Sequence, residues 1–277
     1  PSLFHQVYVI SVKKHGGVLP VIYAVLPNKR RTPYNLLFET LKELVQNLNP
    51  GSICCDFESA DFTAMQQNFD GVTIKGCFFH LVKNMKHKLS QLGLLRRYAN
   101  EVQFALHAKM IVAVAFVPLE HIDAVILELD NFSHADLRPL LNWFEDNYMG
   151  RPNRREDGQE APIFPISMWN LYNRVLNNED RTNNHPEEIN RMLKSQLGIQ
   201  HPTIWQFINT IRKLQKGRDL YYEQLIAGNR PPLKLRKYRD TDQRILRLVE
   251  DFINRVREPI DFLRGIAYNY GTIKLVL

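Results

Sequence analysis

Carboxylates cluster at the end of a short apolar stretch in "SICCDFESADFTAM", residues 52–65. Asp56 and Glu58 follow the apolar residues directly, and Asp61 comes close behind. Alternation along a strand would place Asp56 and Glu58 on one face and Phe57 on the other. Two carboxylates at the carboxyl end of a buried strand suit a divalent metal ion, because hard cations take oxygen ligands. The alternative is that one of them caps the next helix and is otherwise solvated.

A cysteine and a histidine stand three positions apart in "CFFH", at Cys77 and His80. At a predicted strand-to-helix junction they could supply two of the four ligands of a zinc site. Cys54, Cys55 and His87 could complete such a site, although the spacing selects none of them. Alternatively, Cys77 is a small buried residue and His80 a hydrogen-bonding group at the helix start.

A second acidic pair lies in "RTNNHPEEINRML", at Glu187 and Glu188. Pro186 is predicted as the first helical residue, so both acids fall in the first turn, where the helix dipole favours them. Neither lies on the predicted core stripe of this helix, which comprises Ile189, Met192, Leu193 and Leu197. The pattern therefore does not choose between the two acids.

The elements that must position these residues follow an α/β pattern in the first hundred residues. Two β-rich runs flank Gly16 and Gly17, which predicts a hairpin. Thr32 and Pro33 are predicted as the cap and the first residue of a helix with Leu36, Leu37, Leu41 and Leu44 on its apolar side. A strand "SICCDF", a helix "ADFTAMQQNF", a strand "GVTIKGCFF" and a long helix from His80 follow. This order predicts a mixed sheet with helices packed on it.

Composition restricts the classes of function. The 277 residues are 44% hydrophobic, which suffices for a core, and no apolar run is long enough to cross a membrane. Three cysteines make a poor disulfide framework, so we expect a reducing compartment. The net charge of +7 favours a polyanionic partner without establishing one.

Six dispersed motifs together resemble the Mutator-like (MULE) transposases. They are "LFHQVYVI…GGVLPVIYAVLPNKRRTPYNLLFETL", "CCDFESADFTAM", "GCFFHLVKNMKHKL", "WFEDNYMG", "FPISMWNLYNRV" and "RTNNHPEEINRML…HPTIWQFI", in the family's order. The resemblance implies an RNase H-like fold in which an Asp-Asp-Glu triad holds Mg²⁺ or Mn²⁺ for DNA strand cleavage and strand transfer. Asp56 matches the aspartate of the family's "DFE" motif, and Glu187 matches the acid that follows "TNN". Cys77 and His80 match its Cys-x-x-His signature, whose role would be structural or concerned with metal or DNA.

The sequence departs from the family pattern after Glu187. Glu188 stands where the family usually has glycine, and Ile189 and Asn190 stand where an aromatic residue and a histidine often follow. Glu188 is therefore the alternative third acid. The first aspartate of the triad is expected on a strand that precedes Pro1 in the sequence. In the sheet, this strand would lie between the first strand of the hairpin and the strand "SICCDF". We therefore expect the chain to be an incomplete fragment. The alternative to a transposase is a domesticated, non-catalytic DNA-binding or regulatory protein.

The resemblance also predicts the organisation of the chain and its partners. Residues 1–100 would form the first part of the RNase H-like core, 101–178 an all-helical insertion, 179–215 the third-acid helix, and 216–277 a basic helical C-terminal region. We expect a nuclear protein that forms a homo-oligomer on DNA. The predicted phosphate-binding residues are Lys83, Lys86, Arg96, Arg97, Lys234, Arg236, Lys237 and Arg239.

Overall fold

The computed structural model describes residues 4–150, 161–182, 184–198 and 202–270, apart from the side chains of residues 184–188, 190 and 194. The strands in this part are β1 (Gln6–Lys14), β2 (Gly17–Leu26), β3 (Ser52–Cys55) and β4 (Thr73–Gly76). The α-helices are α1 (Arg31–Leu44), α2 (Ser59–Asn68), α3 (Phe78–Gln91), α4 (Leu95–Asn100), α5 (Val102–Ala113), α6 (Ile122–Phe132), α7 (Arg138–Phe144), α8 (Ile166–Trp169), α9 (Tyr172–Leu176), α10 (Asn184–Leu197), α11 (Ile204–Ile226), α12 (Arg236–Ile253) and α13 (Pro259–Tyr270). Among these helices, none combines the length and the apolar character needed to span a bilayer.

The predicted hairpin is confirmed. β1 and β2 pair antiparallel from Gln6 opposite Leu26 to Lys14 opposite Gly17. The two turn residues are His15 and Gly16, both with positive φ, as a type I′ turn requires. The turn therefore consists of His15 and Gly16 rather than Gly16 and Gly17. His15 takes the first left-handed position, and Gly17 already belongs to β2.

Helix α1 begins at Arg31, so the prediction of Thr32 as its cap was wrong. The backbone of Arg30 is extended, and its N–H donates to Oδ1 of Asn28 at 2.9 Å, so the helix starts immediately afterwards. Pro33 lies in the first turn, where its missing N–H costs no intrahelical bond. The buried face consists of Tyr34, Phe38 and Leu41, while two leucines of the predicted stripe, Leu36 and Leu44, are exposed.

Strands β3 and β4 pair in parallel, with Cys55 opposite Gly76. β3 is shorter and more exposed than predicted, since Ser52 and Cys54 are exposed and only Cys55 is buried. β4 ends at Gly76 rather than at Phe79. The reason is that Cys77 turns into the N-cap of α3 while its N–H donates to the carbonyl of Cys55 at 3.0 Å.

The chain divides into two compact units. The hairpin unit comprises residues 1–51, 60–72 and 183–233, and the helical unit comprises residues 52–59, 73–182 and 234–277. Within the hairpin unit, α10 begins at Asn184 rather than at Pro186 and ends before Gly198, whose φ of +63° ends the helix as predicted. A core cluster joins α10 and α11 to the hairpin through Ile189, Leu193 and Leu214, against which Val7, Val9, Tyr23, Met192 and Ile211 pack.

The helical unit is built around α5, whose residues from Met110 to Ala113 are all fully buried. Helix α13, within the predicted helical C-terminal region, packs here: the Tyr270 hydroxyl donates to the carbonyl of Lys109. The described part of residues 101–178 contains helices and no strand. The α/β class is thus confirmed, with about 64% of the residues in helices. The described strands form two separate two-stranded sheets, β1–β2 and β3–β4, rather than the predicted single mixed sheet, and an RNase H-like strand order stays a prediction.

Candidate active site

Two of the predicted chemical motifs meet at a single contact. The Nδ1 atom of His80 lies 2.9 Å from Oδ1 of Asp56. The Asp56 side chain is 57% exposed, whereas that of His80 is 17% exposed. An accessible carboxylate is therefore held from one side by a largely buried imidazole. The sequence pattern did not predict a contact between Asp56 and the Cys-x-x-His motif.

The parallel pairing of β3 and β4 explains this contact. Because Cys55 and Gly76 lie opposite each other at the ends of their strands, Asp56 and Cys77 leave the sheet at the same edge. Helix α3 starts one residue later, at Phe78, so His80 stands in its first turn. Cys77 itself is fully buried at this junction.

The environment of His80 favours its protonated form. Burial opposes the charge, but the hydrogen bonds to Asp56 and Cys77 outweigh burial and raise the pKa of His80 to about 9. At neutral pH the contact with Asp56 is therefore an ion pair. An imidazolium has no lone pair for a metal, so zinc at Cys77 and His80 would have to displace this proton.

Asp56 is the described residue that bears on the predicted metal site. It would fit as one ligand for Mg²⁺ or Mn²⁺, because it is an exposed carboxylate at the end of β3. Among the residues whose side chains are described, no group of three or more His, Cys, Asp or Glu could hold a metal ion. The side chains of Glu187 and Glu188 lie outside the described residues, so their predicted part in the site stays a prediction.

Phe57 anchors the segment that carries Asp56. Its ring packs edge-to-face against Tyr148, with centroids 5.5 Å apart, and against Phe164, with centroids 5.2 Å apart. A Cβ atom at Gly76 would lie only 2.5 Å from this ring. Three motifs of the sequence analysis therefore meet here, since Tyr148 belongs to "WFEDNYMG" and Phe164 begins "FPISMW".

A buried arginine ties the segment before α10 to the same junction. Arg174, 7% exposed, donates from Nη1 to the carbonyl of Gly76 at 2.9 Å and from Nη2 to the carbonyl of Asp180. The N–H of Phe78 donates to the carbonyl of Arg181 at 3.0 Å, and Lys75 pairs with Glu179 at 2.6 Å. This role of Arg174 was not predicted from the sequence. The pattern that could have indicated a buried, structural arginine is a single cation within "WNLYNRVL".

Several predicted phosphate-binding residues already interact with neighbouring side chains. Arg97 pairs with Glu101 at 2.8 Å and with Asp136 at 2.5 Å, and Lys234 pairs with Asp242 at 2.6 Å. These carboxylates offset much of the charge of Arg97 and Lys234.

The other predicted phosphate-binding residues are less engaged. Lys86 lies over the ring of Tyr98, and burial followed by the nearby charge of Lys109 lowers its pKa. Four of them are exposed: Lys83, Arg96, Lys237 and Arg239. Lys237 lies over the ring of Tyr238. Arg236 is 3.8 Å from Asp240. Their part in DNA binding stays a prediction.

The segment that contains both Asp56 and His80 is similar to a known protein family. The family model of the MULE transposase domain matches residues 3–84, from the hairpin through Asp56 to the first half of α3. No curated protein and no solved structure matches the chain. The match indicates a transposase-related function, in a family that acts on DNA. Residues 3–84 of this chain belong to the MULE transposase domain family.

Proposed function

We propose that the protein cleaves and joins DNA strands by metal-dependent phosphoryl transfer, as a Mutator-like transposase. The observation that carries the proposal is the exposed carboxylate of Asp56 at the end of β3, inside the matched residues and paired with His80. A carboxylate in this setting can bind a hard cation while its orientation is fixed by a neighbour.

The residues divide the work as follows. A bound Mg²⁺ or Mn²⁺ supplies charge stabilisation at the phosphate and activation of the attacking oxygen. Asp56 would provide a carboxylate ligand, and His80, whose Nδ1 lies 2.9 Å from Oδ1 of Asp56, is a positioning residue that limits rotation of the carboxylate. Glu187 is the proposed further ligand, on the basis of the family resemblance, with Glu188 as the alternative.

The proposed partner is the DNA of the element and its target. The net charge of +7 supports contact with phosphates, and the lysines and arginines named above are the candidates. Because chromosomal DNA is the substrate, we place the activity in the nucleus. Joining two ends of one element would require at least two copies of the chain on the DNA.

Manganese binding tests the role of Asp56 directly. Titration followed by electron paramagnetic resonance should show that Asp56→Asn weakens Mn²⁺ binding by at least about 100-fold, and His80→Gln by about 10- to 100-fold. Asp70→Asn, at another exposed acid, is the matched control and should leave binding unchanged. Equal Mn²⁺ affinity of the native protein and Asp56→Asn would refute the metal-binding role.

Cleavage then separates the two functions considered. Mg²⁺-dependent cutting of DNA that carries the element ends, lost in Asp56→Asn and in Glu187→Gln but kept in Asp70→Asn, would support the transposase. DNA binding without any metal-dependent cutting would instead support the non-catalytic protein.

A further inference from the structure

Helix α11 has a polar face that packing within the chain does not explain. Phe207, Ile211 and Leu214 face the hairpin unit's core, with Phe207 and Leu214 buried. At 3.6 residues per turn, the opposite side of the helix spans about 60° and carries five residues. They are Trp205, Asn209, Arg212, Lys216 and, near the end of the helix, Glu223, and all five are exposed.

Trp205 is the unusual member of this face. Its side chain is 70% exposed, whereas Trp169 is 1% exposed and Trp143 is half-buried, and these three are all the tryptophans of the chain. An amphipathic helix needs no tryptophan at the centre of its solvated side. A large flat ring in that position suits a planar group from outside the chain.

The charges closest to Trp205 along the helix are positive. Residues 203–217 contain Arg212, Lys213 and Lys216 and no acidic residue, whereas Asp219 and Glu223 follow in the last part of α11. None of these three cations forms an ion pair within the described part of the structure, unlike Arg97 and Lys234. The face from Trp205 to Lys216 is about 16 Å long at a rise of 1.5 Å per residue.

We infer that this face, Trp205 with Arg212, Lys213 and Lys216, binds a DNA strand that has an unpaired base beside its phosphates. The inference rests on DNA as the substrate of the proposed function. Exposed cations without carboxylate partners are free to neutralise phosphates. A tryptophan among them can stack on a base, which is possible only where the base is not enclosed in a duplex. Strand ends and junctions created by cutting present such bases.

The occupant follows from the combination of features. A purely duplex-binding face would need the cations alone, and a protein-binding face would use the tryptophan with apolar neighbours. Here, the residues that share the 60° face with Trp205 are polar or charged. The helix also lies outside residues 3–84, the segment that the family model matches.

Equilibrium binding in EDTA tests the inference without any cleavage. Fluorescence anisotropy should show that Trp205→Ala weakens binding of a single-stranded oligonucleotide about tenfold and changes binding of a blunt duplex by less than about twofold. Trp205→Phe should recover part of the loss, because a smaller ring still stacks. Binding of the single strand should also quench the fluorescence of Trp205, which is absent in both variants.

The cations are tested by salt dependence. The triple variant Arg212→Gln, Lys213→Gln, Lys216→Gln should lower the log–log salt slope for the single strand by about 2, at about 0.7 per phosphate lost. The control Arg138→Gln, Arg257→Gln, Arg264→Gln removes the same charge from arginines that are paired with carboxylates, and the slope should stay unchanged.

Two outcomes would overturn the inference: equal losses in the two triple variants, which would reflect net charge alone, or single-strand binding that Trp205→Ala leaves intact. Circular dichroism verifies that each variant is folded. Because Asp56→Asn leaves this face unchanged, its loss of metal binding and cleavage is a separate result. Failure of the metal-dependent function and failure of this DNA contact are therefore distinguishable.

Discussion

Asp56 and His80 are joined by a 2.9 Å contact between Oδ1 and Nδ1, although 24 positions separate them in the chain, from 56 to 80. One comes directly after β3 and the other lies in the first turn of α3, so the contact links the two strand-to-helix junctions of the parallel pair. Since the pair is ionic when His80 is protonated, it makes stability as well as metal binding dependent on pH.

Metal-free protein should lose stability as the solution becomes more alkaline. The folded-state pKa of His80, about 9, lies above the value of about 6.5 for an unfolded histidine. The contribution of the ion pair is therefore complete below about pH 6.5 and is lost as the pH rises through about 9. We expect a loss of about 1–3 kcal/mol over this interval, less than the full shift implies because Asp56 is exposed. Urea denaturation in EDTA at several pH values measures it.

His80→Gln is the control for this pH dependence, because glutamine does not titrate. The variant should be less stable than the native protein near pH 6 and should show a flatter profile up to about pH 9. If the stability of His80→Gln fell with pH as steeply as that of the native protein, groups other than His80 would be responsible for the pH dependence.

Removal of the Tyr8 hydroxyl should destabilise the hairpin unit. This hydroxyl donates to Oδ1 of Asp61 at 2.9 Å, and its distance to Oδ2 is 3.1 Å, while Asp61 is only 5% exposed. Tyr8→Phe should cost about 1–3 kcal/mol, because a buried carboxylate loses a donor. Tyr238→Phe, at an exposed tyrosine, should cost less than about 0.5 kcal/mol. Equal unfolding midpoints for native protein and Tyr8→Phe would contradict this account of Asp61.

A methyl group at Gly76 should disturb the segment that carries Asp56. The added Cβ would lie 2.5 Å and 2.8 Å from atoms of the Phe57 ring, so Gly76→Ala should cost about 1–3 kcal/mol. Gly51→Ala meets nothing within 4 Å and serves as the control. Phe57→Leu in the Gly76→Ala background should recover part of the loss, and simple additivity in this double-mutant cycle would argue against a direct clash.

Arg174 is expected to be intolerant of lysine. Lysine keeps the charge but cannot reach the carbonyls of both Gly76 and Asp180, so Arg174→Lys should cost about 1–3 kcal/mol for the acceptor left without its donor. Arg191→Lys, at an exposed position of α10, is the matched control and should be close to neutral. Thermal unfolding of the two variants provides the comparison, and equal melting temperatures would contradict a structural role for Arg174.

The local patterns in the sequence predicted elements better than their ends. The hairpin, α2, α10 and the basic helix α12 follow from periodicity and turn residues. The start of α1 could not be predicted, because the deciding interaction is the Asn28 side chain on the Arg30 backbone. The exposure of β3 was also not predicted. The sequence "SICC" shows that the strand is largely apolar, but it does not show how much of the strand the rest of the fold covers.

The candidate site shows the same division. Asp56 was identified from residue type and place, and the Cys77–His80 pair from its spacing. Their meeting depends on the parallel register of β3 and β4, which no local pattern encodes. The roles of Phe57 and Arg174 depend on contacts with residues about 90–110 positions away, at Tyr148, Phe164 and Gly76. Such partners are set by the tertiary fold.

The division of the helical unit into three chain segments has a consequence for biosynthesis. Residues 52–59 and 73–182 leave the ribosome well before residues 234–277, yet the rings of Phe78 and Tyr270 pack with centroids 5.1 Å apart, and Arg181 pairs with Asp242. The apolar surface of α5 therefore remains exposed on the nascent chain until α12 and α13 have been synthesised. At roughly 5–20 residues per second this delay lasts several seconds, during which the nascent chain depends on chaperones to avoid aggregation.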